Sequence, residues 1–180
     1  MRKGRILKKS RILLLDANVV LEISRHELWK QLTKRHEIHL SQTVLDESQF
    51  YDDDAGRHYI DLNHLIDDSL ITICHASIDE VKAFRDLFEQ DYFSRLDAGE
   101  AESLTILLKE EAEYLICSAD AIVFKVLGNL RKPDLSISLE KVLSEAGLGR
   151  ELEWPFTEDF RRKWLAAGSQ DRIQDRGLKE

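Results

Sequence analysis

The chain is poor in the residues that usually announce a class of protein. Two cysteines in 180 residues, one in LITICHA (Cys74) and one in YLICSAD (Cys117), sit in apolar, strand-like surroundings. They suit reduced core thiols better than a disulfide framework or a metal knot. With two prolines, eight glycines, no internal repeat and no low-complexity tract, there is little room for long linkers. No apolar run approaches the length of a membrane span, which argues against a membrane protein. No G-x-G-x-x-G follows the first apolar run, so a dinucleotide-binding fingerprint is missing. Cations are in deficit, 26 Lys and Arg against 34 Asp and Glu for a net charge of −8, which argues against holding nucleic acid by global electrostatics.

What remains is the composition of an ordinary globular chain, 43% hydrophobic and 33% charged, at a length that favours one substantial core. The start, MRKGRILKKSR, resembles the basic region of a signal peptide. Asp16 and Asn18 interrupt the apolar run behind it, however, and no small-residue cleavage site follows, so the expected location is cytoplasmic. Basic residues gather there (Arg2, Lys3, Arg5, Lys8, Lys9, Arg11) and at Arg161, Arg162 and Lys163. Each group reads as a solvated end or as a local contact for a polyanion.

Along the chain, strand and helix patterns alternate. ILLL, EIHL, LITICHA, YLIC and LSIS read as strands. Helical patterns fall over Val19 to Ile23 and Leu28 to Leu32, over SQTVLDESQFY with Ser41 or Thr43 as cap, and over RHYIDLNHLIDD. Others follow over SIDEVKAFRDLFEQDYF, DAGEAESLTILLKEE, AIVFKVLG and LEKVLSEAGLG, the last ended by glycine. The order implies a parallel sheet covered by helices on both faces, an α/β/α sandwich with ligands at the carboxyl ends of the strands. Residues 1–149 form the main domain. Residues 150–180 form a C-terminal extension in which TEDFRRKWLAAG reads as a helix from Thr157 to Gly168, placed to dock on the core, to mediate dimerisation or to contact a nucleic acid.

Two of the strands end in an aspartate, Asp16 and Asp120. If Glu47 and one acid of DAGEAES point the same way, four carboxylates share a small volume. Two unit charges about 4 Å apart repel by roughly 4 kcal/mol at an effective dielectric near 20. Such a group holds either protons or cations, and all-oxygen ligands suit Mg²⁺ or Mn²⁺. The histidines, His36 and His39 included, are too scattered to suggest zinc.

The succession LLLDANVVLE, LDESQF, LDAGEAESLTILL and LICSADAIVF, from about Ile12 to Gly147, resembles the PIN domain, a metal-dependent nuclease fold that includes VapC-type toxin ribonucleases and RNA-processing and decay factors. The resemblance implies a parallel α/β sandwich in which Asp16, Glu47, Glu100 and Asp120 carry Mg²⁺ or Mn²⁺ and cleave RNA. Asn18 would be a companion that orients Asp16, and Ser118 the hydroxyl of an S-x-D element. It further implies a homodimer and, for a toxin, a protein antitoxin. An RNA-maturation or decay nuclease and an inactive RNA- or protein-binding module are the alternatives.

Each acid also has a structural reading. Asp16 and Asp120 suit helix N-caps, and Asp97 with Glu100 forms a D-x-x-E capping box. Asp46 lies about 100° from Glu47 around its helix, so one of the two faces the cleft. Glu100 shares a face with Leu104, Leu107 and Leu108, whereas Glu102 aligns with Ile106, Lys109 and Glu113 on a more polar side. Glu100 is therefore the favoured third acid and Glu102 the reserve. Asp52, Asp53 and Asp54 read as a solvated loop.

Overall fold

A computed structural model describes residues 11–109 and 114–179. The expectations placed on Arg2 to Lys9 and on Glu113 lie outside these residues. Strand β1 (Ile12–Leu15) leads into α1 (Ala17–Arg25) and a short α2 (Trp29–Leu32); β2 (Glu37–Ser41) is followed at once by α3 (Gln42–Glu47). A hairpin of β3 (Phe50–Asp53) and β4 (Gly56–Tyr59) comes next, then α4 (Asn63–Asp67) and β5 (Ile71–Cys74). Helices α5 (Ile78–Asp86), α6 (Gln90–Phe93) and α7 (Ala98–Lys109) precede β6 (Tyr114–Cys117) and α8 (Ala121–Asn129). The chain closes with β7 (Ser136–Ile137), α9 (Leu139–Glu145) and α10 (Glu158–Ile173).

Five strands form one parallel sheet in the order β5-β2-β1-β6-β7. Alternation along β1 shows why both faces are covered. Leu13 and Leu15 belong to one core and Leu14 to the other, and all three are buried. Each contributes about 1.5–3 kcal/mol as an upper estimate, so the central strand has no face that water could occupy without loss. The expected α/β/α sandwich is the observed fold. Among the described residues no helix is long and apolar enough to cross a membrane.

Three local expectations change. RHYIDLNHLIDD is not one helix, because Gly56 at φ +117° turns the chain and pairs Asp52 with Arg57 and Tyr51 with His58 across a hairpin. This leaves only Asn63–Asp67 helical, puts Asp52 and Asp53 on a strand, and exposes Phe50. SIDEVKAFRDLFEQDYF opens on a cap at Ser77, which with Glu80 forms a capping box, but breaks after Asp86. There the Glu89 N–H donates to Gly177 O and the Lys179 N–H to Leu87 O, so the chain's last residues take up backbone groups that a continuous helix would have paired internally.

Gly168 does not end α10, which runs to Ile173. A Cβ there would sit 2.0 Å from Lys125 O, and one on Gly128 would sit 2.1 Å from Leu165 O. The two glycines let α8 and α10 cross backbone to backbone. With Phe156 in one core and Phe160 in the other, the C-terminal segment docks onto the sandwich.

Candidate functional site

The strand order reverses direction at β1: the chain builds outward through β2 and β5 on one side, then returns to place β6 on the other. Parallel sheets bind ligands in the crevice at such a switch point, beyond the carboxyl ends of the strands. Asp16 follows β1 and Ser118 follows β6, so the register Leu15↔Cys117 brings them side by side.

Asp16 is 3% exposed and fully committed in orientation. Its Oδ1 accepts from Asn18 N at 2.7 Å and so caps α1. Its Oδ2 accepts from the Ser118 hydroxyl and from Ala119 N at 3.2 Å. Ser118, buried, also accepts from Asp120 N at 2.9 Å, and Asp120 caps α8 through Ile122 N at 2.9 Å. One hydroxyl thus fixes Asp16 and the segment carrying Asp120. The orienting role expected of Asn18 falls to its backbone N–H; its side chain is exposed.

Glu47 ends α3 on the rim of the crevice. A Cβ on Gly99 would lie 2.6 Å from Glu47 Oε2, so the glycine in DAGE leaves the space into which this carboxylate fits against α7. Asp46 turns away and accepts from Gln42 Nε2 at 2.9 Å.

On α7 the capping box and the site acid are the same residue. Glu100 accepts from Asp97 N at 3.0 Å and donates its own N–H to Asp97 Oδ1 at 2.8 Å, while its carboxyl meets that of Asp120. Glu102 is as buried as Glu100, which corrects the polar face expected for it. Residues from Gly99 to Leu107 are all buried, because α7 packs against α3 and α5 as well as the sheet. Glu102 accepts from Thr43 N at 2.9 Å and from Ala76 N at 3.2 Å, tying α3 and the segment after β5 to α7.

These bonds sort the acids electrostatically. Burial raises the pKa of Asp16, opposed by the Ser118 and backbone hydrogen bonds. Burial and then Asp120 push Glu100 up to about 9. Burial, then Asp97 and Asp16, raises Glu47. For Glu102 burial acts upward as well, but the bonds from Thr43 and Ala76 outweigh it and leave the pKa lowered. Asp97, read from sequence only as a cap, therefore lies within the field of both Glu47 and Glu100. Its position three residues before Glu100 is the signal that it belongs here.

Among the described residues no cation forms an ion pair with Asp16, Glu47, Asp97, Glu100 or Asp120; the ion pairs lie elsewhere in the fold. Nor do any three described His, Cys, Asp or Glu side chains stand close enough together to hold a metal ion. The acids stand in pairs, Glu100 with Asp120 and Glu47 near Asp97 and Asp16, all-oxygen donors of the kind hard cations take. No family model matches the chain, and searches of curated proteins and of solved structures return no match.

Proposed function

We propose that this chain is a Mg²⁺- or Mn²⁺-dependent endoribonuclease of the PIN type. The observation that carries the reading is the set of acids at the sheet's switch point, several with raised pKa and none ion-paired within the described residues. A carboxylate group kept in that condition favours whatever supplies positive charge.

Asp16, Glu47, Glu100 and Asp120 would hold the ion, with Asp97 as a further acid in their field. Ser118 and the N–H groups of Asn18 and Ala119 fix the Asp16 carboxylate before any ligand arrives, the role that outer hydrogen bonds play in ion sites. The ion supplies a hard positive charge that acidifies water and offsets the negative charge growing on the leaving oxygen of a phosphodiester. Glu100, pushed up to about 9 by burial and Asp120, would give up a proton to a cation held there, so ion uptake would release protons. No side-chain nucleophile is needed. The acids repel a phosphate placed among them until an ion is loaded, which reconciles a net charge of −8 with a polyanionic substrate.

Within this class the reading is the toxin of a toxin–antitoxin pair, with a homodimer and an antitoxin as the partners that the family resemblance implies. The test is cleavage of single-stranded RNA. Asp16→Asn keeps the oxygen that caps α1 but turns an amide NH2 toward Ala119 N, so it is expected to melt somewhat lower yet remain folded at the assay temperature, and to cut the rate by about 100-fold or more, equivalent to about 2.7 kcal/mol of barrier. EDTA should silence the wild type to the same degree. Cleavage that survives both treatments would refute the reading, and a wild type that binds the ion but cuts nothing would identify a non-catalytic RNA-binding module.

A further inference from the structure

Beside the acidic crevice, across the first turn of α7, lies a pocket of about 500 Å³. Ala98 and Glu102, four residues apart, line it from one side of the helix. Glu100 lies about 200° round from Ala98, on the crevice side with Asp120. One helix, about 10 Å across, therefore separates the pocket from the acids.

The pocket differs from the crevice in charge. Val81 and Phe93 provide an apolar wall, and Lys82 and Arg85 project from the same helix, α5. Neither cation forms an ion pair with a described carboxylate, although Asp86 also borders the space. Glu102 is already held by two backbone N–H groups. Arg85 carries the more specific sign. Its Nε is buried with no hydrogen-bond partner, and its Nη2 reaches only the Asp97 carbonyl, at 3.4 Å. A guanidinium tethered to the loop that opens α7, yet with donors to spare, is a poor structural element and a good anion receptor.

From this juxtaposition we infer that the pocket receives a nucleotide of single-stranded RNA neighbouring the one at the acids. Arg85 and Lys82 take its phosphate, and Val81 with Phe93 takes its base. The inference rests on the ribonuclease reading and names the subsite beside that site. A crevice that must load cations and a neighbouring pocket that already owns them suit one strand carrying a phosphate at every step. The size admits one nucleotide, and the apolar wall requires an unstacked base, which a duplex does not offer.

The experiment is fluorescence anisotropy of a labelled single-stranded RNA decamer with the full chain in EDTA, over about 50–200 mM KCl. Lys82→Met/Arg85→Met is expected to bind about 10-fold more weakly or worse. Its salt slope should be shallower by about 0.7 for each phosphate that is no longer neutralised. Lys141→Met, exposed on α9, should bind as the wild type does. If the double variant does not fold, Lys82→Met alone, exposed on α5, is expected to weaken binding about threefold with a shallower slope. Binding that is equal in the wild type and the Lys82 and Arg85 variants, or a wild type that ignores the decamer or prefers a duplex of the same length, overturns the proposal. Loss of binding in the variants together with no cation-dependent cleavage by the wild type would sustain the RNA subsite and sink the nuclease reading alone.

Discussion

Asp171 and Asp16 are both sunk into the protein, 9% and 3% exposed, yet their neighbours are opposite in kind. Asp171, on α10, meets Lys125 Nζ at 2.6 Å, accepts from the Tyr92 hydroxyl at 2.7 Å and faces Arg176 Nη2 at 3.2 Å. Burial pulls its pKa upward, but the bonds from Lys125 and Tyr92 outweigh that and leave it lowered. Asp16 meets only neutral donors, with acids beyond them, and its pKa is raised. Both sites orient a carboxylate with care, and only one supplies the counter-charge. The Asp171 site is a finished joint between α8, α10 and the chain's last residues. On the proposed reading, a cation completes the Asp16 site.

The contrast is sharpest in stability. Asp171→Asn is expected to cost about 3 kcal/mol in chemical denaturation, because Lys125 is left half-buried and unpaired. Glu100→Gln, in cation-free buffer at pH 8, should instead stabilise by about 1–2 kcal/mol, since an amide has no charge to desolvate. A loss of stability in Glu100→Gln as large as in Asp171→Asn would mean that both sites are structural joints.

The pH dependence should separate the sites in the same direction. Glu100, ordinarily near 4.5 and here about 9, holds a proton in the folded chain where the unfolded chain has lost one, so its contribution favours folding less and less as pH rises between those values. Asp171, lowered, contributes stability that is present above its ordinary value and lost as pH falls through the folded one. Between about pH 5 and 9, Glu100→Gln should therefore flatten the fall in stability that the wild type shows without divalent ions. An identical slope in the two proteins would remove Glu100 from the account.

A smaller effect is expected at Gly99. Alanine there gains helix propensity of up to about 1 kcal/mol, and the Glu47 carboxylate it meets is the mobile end of a side chain. Stability should change by less than about 1 kcal/mol while RNA cleavage falls, because Glu47 is displaced. If cleavage is retained in Gly99→Ala, Glu47 does not belong to the site. Gly168 is the counter-example, since there the added Cβ meets backbone and the helices must part.

Much of this is legible in the chain and some is not, for identifiable reasons. A run such as ILLLD can only be a strand buried on both faces with a polar residue at its exit, so β1 and Asp16 follow from composition alone. Ser118 and Asp120 follow from the same pattern in YLICSAD. Helical periodicity misplaces Glu102 because it presumes one wet face, and α7 has little. The hairpin escapes it because FYDDDAGRHY alternates too weakly to outweigh the helical spacing that follows, and only Gly56 betrays the turn. Gly168 reads as a terminus because a missing side chain serves a stop and a close crossing equally well. Arg85 and Lys82 leave no mark, since their meaning depends on which elements α5 packs against.

The most direct measurement is titration of Mn²⁺ into the full chain by calorimetry in two buffers of different ionisation heat, which reports ion binding and proton release together. The wild type and Asp171→Asn are expected to bind Mn²⁺ and release protons at pH 7, and Asp16→Asn is expected not to bind. No binding by the wild type, or equal binding by Asp16→Asn, would contradict the ion-site reading.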